Sequence, residues 1–207
     1  MAITPKGTEG SVDFGLCNVM IASVTETVNT TTGKLETSYG TPKAWAGAVH
    51  MTLNTKGSIT DTYADNGVWY TAVSNPGYDG SYECMHVLEW VATDLLGRNL
   101  DNNGAIIEST EDRPKYFALM FETDTDTEPT RYVFYKCMIQ PINGDWETKT
   151  DATNPKSHTA TIKIMPRADE DTINSKKVHA IGATLSATAD GTAYDGFFSQ
   201  VYEPTTT

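Results

Sequence analysis

Positive charge is scarce in this chain: 15 Lys and Arg stand against 27 Asp and Glu, for a formal net charge of −12 at pH 7. A protein that grips nucleic acid needs clustered cations to displace counterions from phosphates, so that class is excluded, and anionic membrane surfaces are disfavoured as well. Cysteine is scarce too. Cys17, Cys84 and Cys137 form an odd, widely spaced set, which fits free, buried thiols in a reducing compartment better than a disulfide framework. Long apolar runs are missing: the longest strongly apolar stretch, Tyr116 to Phe121, falls far short of the ~20 residues of a membrane helix. Residues 1–10 carry no apolar run of the signal-peptide type, so synthesis and folding in a cytoplasm are expected. Leu is sparse beside Thr, Tyr, Val and Ile, which argues against a helical protein and for pleated, half-exposed strands.

Catalytic signatures are equally thin. There is no P-loop, no GxGxxG, no GxSxG elbow, no HExxH helix and no CxxC, and His50, His86, His158 and His179 fall in separate elements without ligand spacing. The alternating carboxylates Glu122, Asp124, Asp126 and Glu128 lack the glycine and the terminal Glu of a calcium loop, so they read as a solvated hairpin tip before a weak cation site. Asp101 to Gly104 reads as a turn before a metal loop. Carboxylate pairs for glycoside chemistry can meet in space from anywhere in a β-fold, but nothing selects one pair from 27 acids. No enzyme, cofactor or metal is expected.

At 207 residues, the chain is long enough to bury a core without staples, and a single domain spanning 1–207 is expected. Period-two alternation recurs along it. Val12, Phe14 and Leu16 alternate with Asp13, Gly15 and Cys17, and Val49, Met51 and Leu53 with His50, Thr52 and Asn54, as in strands with one buried face. Further strands are expected over 68–73, 81–85, 116–122, 131–140, 158–165 and 176–181. Asn66-Gly67, Asp79-Gly80, Asn143-Gly144, Asp190-Gly191 and Asp195-Gly196 read as turns. In 86–96, Leu88, Val91, Ala92 and Leu95 recur at helical steps and Gly97 follows, predicting one short helix that covers the β-structure. Residues 54–80 predict a long projecting hairpin or loop whose aromatics, Tyr63, Trp69, Tyr70 and Tyr78, are either covered by a partner or packed within the subunit. Residues 1–10 and 203–207 are expected to be flexible arms. The expected fold is therefore mainly β, an antiparallel sandwich or barrel with one flanking helix.

The blocks Phe14-Gly15-Leu16, Gly47-Ala48-Val49, Tyr63-Ala64-Asp65-Asn66-Gly67 and Asn75-Pro76-Gly77-Tyr78-Asp79-Gly80 occur in that order. They are followed by Asp94-Leu95-Leu96-Gly97, Asn103-Gly104 with Ile107-Glu108, Pro114 to Glu122 and Val133-Phe134-Tyr135. Together they resemble the major tail proteins of long-tailed, non-contractile phages and prophages of Gram-positive bacteria, over nearly the whole chain. The resemblance implies a non-catalytic virion protein made in the host cytoplasm: a tail tube subunit with a flanking helix and an inter-ring loop, six copies closing into rings that stack into a tube. It further implies a tape measure protein inside the tube, terminator and distal tail proteins at its ends, double-stranded DNA only as transiting cargo, and no membrane partner. The segment Thr123 to Thr130 is acidic where the family often carries a more basic turn, and no further immunoglobulin-like domain is expected after Val201-Tyr202. On this reading Tyr63, Asp65, Asn66, Trp69, Tyr70 and Tyr78 are candidates for inter-subunit contacts, and Glu122, Asp124, Asp126 and Glu128 for the lumen. The rival expectation is a non-catalytic β-sandwich carbohydrate-binding or adhesion module, with Trp45, Trp69, Trp90 and Trp146 as a sugar platform.

Overall fold

The computed structural model describes residues 13–125, 128–144, 146–148, 155–189 and 191–205. The first half contains β1 (Asp13–Val28), β2 (Leu35–Tyr39), β3 (Lys43–Ala44), β4 (Ala48–Thr55), β5 (Ser58–Ala64), β6 (Gly67–Ser74), β7 (Tyr78–Cys84), β8 (Asn99–Leu100) and β9 (Ile106–Ile107). The second contains β10 (Phe117–Thr125), β11 (Thr130–Ile139), β12 (His158–Met165), β13 (Asp171–Ile173), β14 (Lys176–Val178), β15 (Gly182–Ser186) and a short helix α1 (Gly191–Gly196). The protein is mainly β and every strand pair is antiparallel.

The main sheet runs β2-β1-β10-β11-β12-β7-β4. β3 pairs with Met20 and Ile21 on the edge of β1 opposite β10. β11 is shared along its length: β15 pairs with Thr130 to Phe134 and β12 with Lys136 to Ile139. The sheet curls until β4 comes back beside the first half of β1, where Phe14 and Leu16 share a groove with Val49, Met51 and Leu53. Here the pairing of β1 with β10 shifts register at bulges around Gly15 (φ +67°) and Asn18 (φ +51°), which kink the strand and increase its twist.

The inner face holds the main core: Ile21, Tyr82, Cys84, Leu119, Ile139, Ala160, Ile162 and Ile164. On β12 the alternation is clean, with Ala160, Ile162 and Ile164 buried and Thr159, Thr161 and Lys163 exposed. Trp45 is buried against Tyr82 (ring centroids 4.9 Å apart) and Trp90 (6.3 Å). Its polar surroundings are satisfied, because the Tyr82 hydroxyl donates to the Trp45 carbonyl (3.0 Å) and the indole N–H to the His86 carbonyl (3.4 Å). The opposite face of β1, β10 and β11 carries a second cluster of Ala22, Ala118, Met120, Val133 and Tyr135, covered by Phe197 and Val201. Phe117 to Phe121 are therefore buried at every position, since a strand between two layers needs apolar side chains on both faces.

Several sequence expectations change. The helix expected over 86–96 is a single π-helical turn, Val91–Leu95, closed by a bond from the Leu96 N–H to the Val91 carbonyl (3.2 Å). Its apolar stripe survives, with Val91, Ala92 and Leu95 buried, and Gly97 adopts the left-handed conformation (φ +74°) of a terminating residue. Asp79-Gly80 is not a turn: Gly80 lies inside β7, where a Cβ would sit 2.0 Å from the Thr52 carbonyl oxygen of β4. Gly191 to Gly196 form α1 rather than turns. The strand expected over 176–181 is shorter, Lys176–Val178.

Candidate assembly surface

The excursion at 54–80 folds as a hairpin, β5 against β6, and forms a two-stranded sheet of its own beyond the β4–β7 pair. Asp65 (φ +50°) and Asn66 (φ +61°) make its two-residue turn between the paired Ala64 and Gly67, the mirror-image turn whose twist matches that of paired strands. At its base Lys56 pairs with Asp79 (2.9 Å), and the Lys56 N–H donates to the Gly77 carbonyl (3.0 Å). Gly77 (φ +115°) lies so close to β12 that a Cβ would fall 2.1 Å from the Ile164 carbonyl oxygen. Glycine here holds the neck of the hairpin against the barrel.

The register divides the hairpin into two unlike faces. Ile59 opposes Val73, Asp61 opposes Thr71 and Tyr63 opposes Val68, with Trp69 as the extra residue of a bulge on β6. This face carries five large apolar side chains, and Ile59, Tyr63, Trp69 and Val73 are each about 70% exposed. The other face, which pairs Ser58 with Ser74, Thr60 with Ala72 and Thr62 with Tyr70, is polar or small except for the exposed ring of Tyr70. Within the subunit the hairpin is held by its ladder, by the Thr71 hydroxyl donating to Asp61 (2.6 Å) and by a Ser58–Ser74 hydroxyl contact (2.9 Å). A two-stranded hairpin of this kind is marginal in water.

The sequence candidates do not all meet. Tyr63, Asp65, Asn66, Trp69 and Tyr70 lie on the hairpin. Tyr78 is half-buried at the barrel end, its ring 5.5 Å from that of Phe134. Among the carboxylates, Glu122 faces Arg131 across the β10–β11 pair and accepts from its Nε (2.6 Å), and also accepts from Asn18 Nδ2 (3.1 Å). Both partners are largely buried. Asp124 is exposed near the end of β10, Glu128 is half-buried in the following connection, and Asp126 lies outside the described residues, as do residues 1–10. Asp101 spends its carboxylate on the N–H groups of Asn103 and Ala105 (both 2.8 Å), which hold its pKa below the ordinary value. It is a turn-former. Among the described residues no group of three His, Cys, Asp or Glu is placed to hold a metal ion. Burial pushes the thiols of Cys17, Cys84 and Cys137 up, away from the reactive thiolate.

Sequence reasoning missed the C-terminal segment. Arg131 stacks on the Tyr194 ring (3.7 Å) and near Phe198 (4.9 Å), and donates to the Tyr194 carbonyl. The Tyr194 hydroxyl donates to the Pro129 carbonyl (3.2 Å). Arg167, almost fully buried, forms a two-pronged pair with Asp169 and approaches Asp171 (3.5 Å) and Glu203 (3.6 Å). The signal available was the cluster Phe197, Phe198, Val201 and Tyr202 just before the polar end of the chain.

Comparison with protein-family models finds none that matches, and comparison with curated proteins finds no match either. Among the described residues no helix is long and apolar enough to cross a membrane.

Proposed function

We propose that the protein is a structural subunit that assembles with copies of itself, as a tail tube protein: six chains close into a ring, rings stack, and the tube conducts double-stranded DNA from a capsid. The observation that carries this reading is the hairpin face of Ile59, Tyr63, Val68, Trp69 and Val73, exposed on a subunit whose other aromatics are largely packed. A surface of that composition is stable when another molecule covers it. In this reading a tape measure protein occupies the growing tube, terminator and distal tail proteins bind its ends, and the site of action is the virion. The sugar-platform alternative has less support, because Trp45 is buried and Trp90 packs against it, leaving Trp69 and Trp146 exposed in separate segments. Electron microscopy of concentrated protein tests the proposal. Rings or tubes of uniform width are expected from the native chain, and none from a variant in which Asn66 to Val73 is replaced by a short Gly/Ser link. Persistent native monomers, or normal tubes from the variant, overturn it.

A further inference from the structure

Among the described residues five buried side-chain polar atoms have no hydrogen-bond partner, and four of them belong to one cluster: the hydroxyls of Tyr39 and Tyr135, Arg167 Nη1 and Asp171 Oδ2. They come from separate stretches of chain. Tyr39 ends β2, Tyr135 lies within β11, Arg167 follows β12 and Asp171 opens β13. The guanidinium carbon of Arg167 is 5.4 Å from the Tyr135 ring centre and 5.9 Å from that of Tyr39, and the two rings are 6.2 Å apart. Arg167 Nη1 stands 3.5 Å from Asp171 Oδ2, close enough for an ion pair but not aligned as a hydrogen bond. Burial pushes both phenols above their ordinary pKa, so each keeps a proton to donate.

The chemistry of the four atoms decides what they can bind. Arg167 has already used its other nitrogens, since Nε and Nη2 both donate to Asp169. Nη1 can only donate, a carboxylate oxygen of Asp171 can only accept, and each phenol can do either. A cation would meet the guanidinium at close range, and an anion would meet Asp171 and Asp169. Both ions are disfavoured. The set asks instead for a small neutral molecule with donors and acceptors, and water has two of each. The atoms are shut off from bulk solvent, which leaves no room for a side chain from a second copy. Tyr39 and Glu203, which border the cluster, also line an open cleft of about 700 Å³ between β2 and the C-terminal segment, so water has a short path in.

We infer that Tyr39, Tyr135, Arg167 and Asp171 form the binding site of a single internal water. It accepts from Arg167 Nη1 and from one phenol, and it donates to Asp171 Oδ2 and to the other phenol oxygen. Each of the four atoms then gains a partner, as buried polar groups require. Arg167 becomes the centre of a network that reaches Thr37 of β2 through Asp169 and Glu203 near the end of the chain. The site is independent of the assembly reading.

A high-resolution crystal structure of the native protein and urea unfolding of Tyr39→Phe and Tyr135→Phe test it. One isolated density peak is expected at hydrogen-bond distance, about 2.7 to 3.2 Å, from at least three of the four atoms. Both Phe variants should then unfold at lower urea than the native chain, because each removes a partner of the bound water. A hydroxyl with no partner behaves in the opposite way: its removal relieves an unpaired buried group and raises the midpoint. A raised midpoint in both variants overturns the inference. Direct hydrogen bonds among the four groups with no peak between them overturn it too, and contacts near 2.4 Å, the range of a bound cation, overturn the assignment to water.

Discussion

Asp169 is the residue where electrostatics bears most directly on stability. Burial alone would raise its pKa, but hydrogen bonds from Arg167 and from the Thr37 hydroxyl (2.6 Å), with the guanidinium charge, hold it at about 2. A carboxyl depressed by folding contributes stability that is present above its unfolded pKa and lost as pH falls through the folded one. Urea midpoints of the native chain should therefore fall between about pH 4 and pH 2, in part through this group. Asp169→Asn should be less stable at pH 7 and should show a smaller fall in that window. An unchanged acid limb in the variant would assign the loss to other carboxylates. Residue identity made some of these roles legible: Gly97 behaves as a chain terminator, and Glu122 opposite Arg131 follows once 116–122 and 131–140 are read as paired strands. Gly80 was misread, because a glycine that admits a neighbouring strand's carbonyl looks the same in sequence as one that turns the chain.

At the scale of elements the molecule separates parts that stabilise from parts that present. Phe197 is buried in the second cluster, and Phe197→Ala should cost about 3 to 5 kcal/mol by lost burial and the cavity left behind. Trp69→Ala should change stability by less than about 0.5 kcal/mol, the surface range, because its ring projects from the hairpin. Chemical denaturation of both, beside an assembly assay, checks the contrast: Trp69→Ala should stay folded and fail to assemble. Period two revealed β1, β4, β7 and β12, where one face is wet. It missed β2, whose residues Leu35 to Tyr39 show little contrast between exposed and half-buried positions. The short helix was visible as an apolar stripe, but not its π character, which depends on which carbonyl the Leu96 N–H reaches. α1 has no buried residue of its own, and so no stripe to detect. The hairpin stood out because its aromatics had no place in a core.

For the whole molecule, charge becomes the governing quantity. Each chain carries −12, so the proposed ring of six would carry six times that, and transiting DNA would add a negative charge about every 1.7 Å. Like-charge repulsion in a conduit keeps a duplex mobile. Assembled tubes should retain no duplex at low salt, as measured by co-sedimentation of labelled DNA. Appreciable retention would argue against an acidic lumen. Glu122 contributes less to such a field than its formal charge suggests, because Arg131 neutralises it at 2.6 Å.

The sharing of β11 among β10, β12 and β15 has a consequence in time. Its amides lie between layers covered on both faces, whereas those of β5 and β6 are paired but bare on both faces. Hydrogen exchange in a free subunit should therefore leave β10 and β11 protected to the limit of global unfolding, while the hairpin exchanges orders of magnitude sooner. Assembly would slow exchange in the hairpin and leave the central strands as they were, so the rate at which the hairpin loses its protons would report how far subunits have joined.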